Sequence, residues 1–558
     1  MRPGTFVRFF FSAAALVLQL TAYNVHGAAA APAALTGTVT SAEEGAMEGV
    51  LVSAKRDGST ITTTVVTDER GRYAFPASRL EPGRYTLKTR AAGFDLAAPI
   101  SAEVRPQNTA SADIKLQKTT DLAAHLTNAD WMASAPGDPR EKSLLLNCVS
   151  CHTLERVVRS KYTSEQFLTA VLPRMQAYVN QSIPAAPQIR KGERVMEERG
   201  DSRVQVYKAV GDYLATINLS SGPTWSYTLT TAPRPKGRAT RVIYTEYDLP
   251  RPVIQPHDVV LDADGIPWYS SFGEQRIGRL DPKTGVVKEY EIAIAKPEWP
   301  TGVLALRPDK EGNLWLGNMY QASIARFDRK TEKFQLFTPP KEDNLSSTQL
   351  NMVSPFYAHV DGKVWSQNNG FAGVHRVDLK TGKMETWAPF KDSKEPHNIY
   401  DVIADSKNNA YFTDFRQRHI GRIDAKTGEV KLFETPTAGS APRRGSMDPQ
   451  DRLWFGQFRG DRIGMFDTKT EKFKEWVVPT RYFAPYDVAL DRNENAWTGS
   501  MTTDRIARLD TKTDQFTEYL LPRSTNIRRV FVDSSTTPVT FWVGNNHGAS
   551  IIKLEPLD

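Results

Sequence analysis

A mainly β, multidomain fold is predicted for this 558-residue chain by three observations. The tetrapeptide Asp-x-Lys-Thr recurs six times between Asp281 and Thr513. Apolar and polar residues alternate with period two through residues 36–117, broken by turn signals. Between these regions the pattern switches to helical spacing around a single Cys-x-x-Cys-His pentapeptide. Together they predict a small β-sandwich at 35–117, a small α-helical domain at 120–222 and a β-propeller at 240–558.

The propeller follows from the repeat. Successive copies start at Asp281, Asp328, Asp378, Asp424, Asp467 and Asp510, 43 to 50 residues apart. A period in the forties with several short strands per copy is a propeller signature. Within one copy, Asp258-Val259-Val260-Leu261 is an apolar strand, Asp262-Ala263-Asp264-Gly265 a turn, and Trp268 marks the second strand. Ile277-Gly278-Arg279-Leu280 is the third, and Asp-x-Lys-Thr turns into the fourth. A degenerate seventh copy reaches Leu554-Glu555 and runs out before its last strand. Thr245-Glu246-Tyr247 matches Thr517-Glu518-Tyr519 and is expected to supply that strand, which closes the ring and removes a free edge. The count is seven blades, with six as the alternative.

Residues 35–117 hold short strands such as Gly49–Ala54 and Thr62–Thr67, separated by Asp57-Gly58, Asp68–Gly71 and Pro82-Gly83. With Thr67–Phe75 and Pro82–Leu87, these segments resemble the carboxypeptidase regulatory-like domain, a transthyretin-like sandwich. The resemblance implies an accessory module without catalytic residues, with carbohydrate as its contact.

Cys148-Val149-Ser150-Cys151-His152 contains the only two cysteines of the chain. CxxCH is the attachment signature of a c-type haem: two thiols three positions apart add to two vinyl groups, and the next histidine reaches the iron. A thioredoxin-type disulfide needs a βαβ setting, and a zinc site needs further ligands; neither pattern is present. Leu144–Leu146, Leu154, Val157 and Val158 flank the motif, and Val206, Tyr207, Val210, Tyr213, Leu214 and Ile217 recur at helical spacing, with Gly211 allowing close approach of another helix. The segment resembles a class I cytochrome c. That resemblance implies one covalent haem c on Cys148 and Cys151, His152 as proximal ligand and a methionine as the sixth. Met175 is preferred, Met196 is the alternative, and His125 and Met132 rank below them. Ser220–Arg238, rich in Ser, Thr, Pro and Gly, is expected to be a linker.

The propeller repeat resembles the virginiamycin B (streptogramin) lyase family through Ile277-Gly278-Arg279, Ile420-Gly421-Arg422, Leu314-Trp315-Leu316 and Leu453-Trp454-Phe455. That family eliminates across a depsipeptide ring with magnesium, using His and Glu at strand entries. Pro256-His257 and Glu395-Pro396-His397 match such entries, but they lie three blades apart, and only Asp414 stands for the further acidic residue. Independently of the family, the position eleven before each strand marker gives His257, Tyr400, Arg443 and Tyr486, with Arg528 equivalent in the last copy. These residues form a ring at one channel mouth. They suit an anionic or aromatic ligand, or they hydrogen-bond loops and face solvent. Magnesium or calcium at the propeller has no further support in the sequence.

Residues 1–27 have the pattern of a secretory signal peptide: Arg2 and Arg8, an apolar run from Phe9 to Leu20, then small residues. No later segment approaches eighteen apolar residues, so no membrane span is expected after cleavage. The formal charge is +7 without a basic run bearing interleaved aromatics, which argues against nucleic acid as partner. The expectation is a periplasmic monohaem protein that transfers single electrons, its propeller binding a redox partner protein or a small-molecule ligand. A haem-linked oxidoreductase and a magnesium-dependent lyase are the alternatives.

Overall fold

The computed structural model describes residues 1, 4, 32–177, 188, 195–345 and 347–558, and the side chains of 176, 177 and 195–203 fall outside that description. The expected leader at 1–27, save residues 1 and 4, lies outside the described residues, as does the side chain of Met196. The protein is mainly β. Six four-stranded antiparallel sheets run in sequence order from Pro256–Leu261 to Gln515–Leu520. The strands Val530–Asp533, Thr540–Asn545 and Ser550–Pro556 then join Val242–Asp248, with Thr245 opposite Lys553. The two ends of the propeller therefore close on each other, as the match at Thr245–Tyr247 anticipates. Among the described residues, no helix is long and apolar enough to cross a membrane.

Each repeat residue has a local physical task. The aspartate that opens the first turn accepts the indole N–H six positions on: Asp262 from Trp268 at 2.9 Å, Asp309 from Trp315 at 3.0 Å, Asp448 from Trp454 and Asp491 from Trp497 at 2.9 Å. A buried indole donor thus finds its acceptor within its own hairpin. The aspartate of Asp-x-Lys-Thr accepts backbone N–H groups two and three residues on, as Asp378 does from Lys380 at 3.0 Å and Thr381 at 2.9 Å. This side-chain mimicry of a turn is the reason for the motif. The glycine of Ile-Gly-Arg leaves room for a ring from the neighbouring strand. A Cβ on Gly421 would stand 2.0 Å from Phe412 Cζ, and one on Gly278 2.2 Å from the Tyr269 ring.

The N-terminal sandwich is not a separate bead. Ala33–Ser41 threads between sheets, and Ile61–Val66 pairs antiparallel with Val242–Asp248, placing Val65 opposite Ile243. Eight strands thereby form one continuous sheet across the sandwich and the closing blade. The outer edge of Val242–Asp248 is covered by the sandwich instead of by solvent.

The intervening segment is helical, with side-chain caps at Thr127, Asp138 and Thr163 setting the starts of three short helices. Pro139–Cys148 ends inside the CxxCH motif, and Val195–Ile217 packs against it. Gly211 lies where a Cβ would be 3.1 Å from Phe167, so the expected close helix approach occurs. Val206 departs from the expected apolar face: it is exposed, while Tyr207, Tyr213, Leu214 and Ile217 are buried. The buried stripe runs instead through Tyr207, Leu214 and Ile217, with Tyr213 beside it. Ser220–Arg238 departs more strongly from a loose linker. Trp225 packs on Trp131 at 5.1 Å and donates to Val158 O at 3.0 Å, and Tyr227 donates to Ile217 O at 2.7 Å. Its three large apolar side chains, Trp225, Tyr227 and Leu229, outweigh its turn-forming composition.

Gly421→Ala is expected to destabilise the fold by about 1–3 kcal/mol through overpacking against Phe412. Thermal melting should show the loss, and Phe412→Leu in the same chain should recover part of it. An unchanged melting temperature for Gly421→Ala would remove the stated reason for the Ile-Gly-Arg motif.

Candidate functional site

The propeller channel carries two stacked rings of charge. The deeper ring is balanced: Asp258, Asp401 and Asp487 face Arg307, Arg444 and Arg529. Arg444 holds Asp258 at 2.7 and 2.9 Å, Arg307 holds Asp401 at 2.9 and 2.8 Å, and Arg529 lies 3.4 Å from Asp258 and 3.7 Å from Asp487. Asp258, Asp401 and Arg444 are fully buried. Burial alone would raise the Asp258 pKa; Arg444 and the hydrogen bond from His257 hold it well below the usual range. Asp487 is pushed up to about 6, because burial outweighs the pull of Arg444 and Arg529.

One residue toward the mouth lies the ring anticipated from strand entries, and the structure brings its five members together. His257 Nε2 is 3.1 Å from Tyr486 Oη, and the Tyr486 and Tyr400 hydroxyls are hydrogen-bonded to each other. Asp258 is an acceptor, so His257 Nδ1–H donates to it at 2.8 Å and Nε2 accepts from Tyr486. The Arg443 guanidinium sits in a cage of four rings: Tyr486 at 4.2 Å, Phe458 at 4.4 Å, Phe415 at 4.6 Å and Tyr400 at 4.8 Å. Burial pushes the Tyr400 phenol up, but Arg443 and Arg528 more than offset this and its pKa falls below the ordinary value. Burial raises Tyr486, which keeps its proton. His257 is held neutral, its pKa lowered by burial to about 4. None of these five side chains faces solvent, so the solvent-facing alternative does not hold.

What covers the mouth is the CxxCH segment. Arg528 Nη2 donates to Ser150 O at 2.9 Å and Asn526 Nδ2 to Val149 O at 3.0 Å. Ala129 N–H donates to Thr502 O at 2.9 Å beside them. His547, from the loop before the closing strand, lies near Ser150 and His152, its pKa lowered by burial to about 3. A cavity of about 270 Å³ remains between the segment and the mouth, bounded by Leu146, Asn147 and Ser150 above and by Tyr400, Arg443 and Arg528 below.

No disulfide joins Cys148 to Cys151, and Cys148 is buried in the apolar core with Leu145, Val149, Leu154, Val158 and Leu214. Burial, then the neighbouring Cys151, pushes the Cys148 thiol up to about 12, opposite to the lowered pKa of a reactive redox cysteine. His152 Nδ1 lies 2.8 Å from Thr153 O, so Nδ1 carries the proton and Nε2 keeps its electron pair. Burial lowers its pKa. Met175 sits in the helix Leu172–Ala177, half-buried against the same core. Met132 is a core residue, and His125 lies 3.1 Å from Asp95.

Glu395 and His397 belong elsewhere. Glu395 is exposed, and its backbone N–H donates to Ser393 at 3.1 Å. His397 packs flat on Phe390 at 3.8 Å, and its Nδ1 lies 2.6 Å from Asp414. His419 Nδ1 is 3.3 Å from the same carboxylate oxygen. These three donor atoms lie within 4.8 Å of one another, a set of chemistry suited to a divalent cation. The structure thus separates Glu395 and His397 from the Tyr400 ring, because His397 lies two residues before the strand Ile399–Ala404.

Residues 34–117 match the family model of the carboxypeptidase regulatory-like domain. No curated protein matches the chain. Among solved structures, virginiamycin B lyase from Staphylococcus aureus is 21% identical, with 56% of this chain and 99% of that one covered at a TM-score of 0.48. A streptogramin B lyase structure gives 21%, 57%, 99% and 0.48 by the same measures. The RRP9 WD40 repeats give 13%, 55%, 96% and 0.44.

Asn526, Arg459, Phe415, Phe458 and His547 escaped the sequence reasoning. One signal was available: Phe272, Met319, Phe415, Phe458 and Met501 each stand four residues after a strand marker. The positions that touch the CxxCH segment carry no periodic mark.

Asp258→Asn is expected to lower stability by about 3–5 kcal/mol, because it strands buried Arg444 without a full counter-charge. Chemical denaturation measures this, and a loss below about 1 kcal/mol would contradict the balanced ring. Acidification gives a second check. Below pH 6.5 the unfolded chain protonates His257, while the folded chain resists until about pH 4. Its stability contribution is therefore lost as pH falls through that window, up to about 3 kcal/mol. Asp487 opposes it, since a raised carboxyl loses stability as pH rises from the ordinary value towards 6. His257→Gln should flatten the acid loss, so that its stability gap to the parent narrows from pH 7 to pH 4. Parallel curves would show that His257 does not govern it.

Proposed function

We propose that this chain is a periplasmic c-type monohaem protein that transfers single electrons, with a seven-bladed propeller that binds a small ligand or partner against the haem-bearing segment. The observation that carries the proposal is the docking of CxxCH on the propeller mouth through Arg528 and Asn526. The residues fit a covalent haem. Cys148 and Cys151 are unbridged, and an apolar wall of Leu145, Leu154, Val158 and Leu214 surrounds the first. His152 has its Nδ1–H tied to Thr153 O, the arrangement that leaves Nε2 for iron. Haem, when bound, supplies a one-electron iron couple. The two thiols would hold it, His152 would be the proximal ligand and Met175 the distal one, with Met196 as the alternative. Its domain at 120–222 would then be of the class I cytochrome c type, and export through residues 1–27 accords with attachment outside the cytoplasm.

The cavity between Ser150 and Arg443 favours a second reading, a haem-linked oxidoreductase whose substrate occupies that space. Electron uptake that depends on an added substrate separates the two. The lyase reading has less support: Glu395 is exposed, and the His397–Asp414–His419 set lies apart from the ring at the mouth.

Expression of the mature chain with a c-type maturation system should give one covalent haem per protein by pyridine haemochrome, lost in Cys151→Ala. Met175→Ala should lower the haem reduction midpoint, because methionine ligation raises it. A protein that carries no covalent haem overturns the proposal.

A further inference from the structure

We propose that the cavity between the CxxCH segment and the propeller mouth is a carboxylate-binding site, built by Arg443, Arg528 and Arg459. The inference rests on the haem-bearing reading only for the source of the carboxylate, which is either a propionate of the protein's own haem or a free small organic acid.

The argument is one of uncompensated charge. In the deeper ring three arginines meet three aspartates. One residue further out, Arg443 and Arg528 are buried, and Arg459 stands at the rim. Among the described residues, no aspartate or glutamate lines this cavity. Arg443 Nη1 points at Met501 Sδ at 3.1 Å and Nη2 at Tyr400 Oη at 3.4 Å, both weak acceptors. The Nε–H groups of Arg443 and Arg528 are buried without any acceptor. Burying even one unpaired charge is expensive, and a fork of guanidinium donors fits a carboxylate in two-point fashion.

The remaining lining fits an organic anion better than a bare ion. Phe272, Phe415 and Phe458 supply apolar wall. The Asn351 and Asn398 side chains at the cavity have buried Oδ1 atoms without donors, able to take hydroxyl or amide hydrogens. A volume of about 270 Å³ holds a single ring or a short dicarboxylate but not a peptide. Desolvation, with added repulsion from Arg416 and Arg443, lowers the Arg459 pKa.

Calorimetric titration of the full chain with benzoate and with succinate tests the proposal, on haem-loaded protein and on a haem-free Cys148→Ser/Cys151→Ser form. Binding to the haem-loaded protein, weakened at least tenfold by Arg443→Gln, assigns the cavity to a free carboxylate. Binding to the haem-free form alone, with a reduction midpoint that moves in haem-loaded Arg459→Gln, assigns it to the haem propionate. Arg443 packs on four rings, so Arg459→Gln, at the rim, serves as the variant that keeps the fold; it should weaken binding about threefold or more. Absence of binding to both forms, with both melting cooperatively, overturns the carboxylate site. Pyridine haemochrome on the same preparations reports separately on the haem, so a protein without haem that still binds benzoate refutes the electron-transfer reading and leaves this site standing.

Discussion

The Arg444–Asp258 pair spans the channel and ties the first sheet of the propeller to the fifth. Both groups are fully buried, and two hydrogen bonds join them. A buried ion pair adds little net stability over a well-packed apolar pair, but breaking it is costly. Its structural effect is geometric: Arg307–Asp401 and Arg529 extend the lattice so that five of the blades meet at one fixed radius. The ring above inherits that radius. Tyr400, Tyr486 and His257 can share hydrogen bonds across the axis only because their strands are held at this spacing.

Charge balance then changes sharply within one residue along the strand. The deeper level is neutral in sum, while the level at the mouth carries guanidinium groups whose neighbours are phenols, rings and carbonyls. Aromatic faces stabilise Arg443 without neutralising it. Arg528 spends part of its donor capacity on Ser150 O. The mouth is therefore at once the seat of the helical segment and the rim of a cavity lined by three arginines and, among the described residues, no carboxylate.

Two joints make the chain one body. On the rim, the N-terminal sandwich pairs with the strand that closes the propeller, so the sheet edge that would invite another chain is occupied by this one. On the axis, the helical segment caps the channel, and residues 220–238 wrap back over its helices through Trp225 and Tyr227. The CxxCH motif is thereby fixed relative to a rigid β scaffold instead of being carried on a tether.

Much of the architecture was legible from residue order alone. The Asp-to-Trp spacing, the Asp-x-Lys-Thr turn and the glycine of Ile-Gly-Arg are all satisfied inside single hairpins, so each copy announces its strands. The strand-entry ring was legible for the same reason: equivalent offsets on equivalent strands must converge on one axis. CxxCH was legible because its chemistry lies within five residues. Glu395 and His397 stand apart from that ring, since their tripeptide sits just before the strand, where Glu395 is exposed and His397 meets Asp414. Only the tertiary structure decided that Ser150 meets Arg528, that Ile61–Val66 extends the closing sheet, and that three arginines surround a space without a carboxylate. Those contacts join residues on separate elements, as far as 378 positions apart for Ser150 and Arg528, and no local pattern records a pairing that packing alone creates.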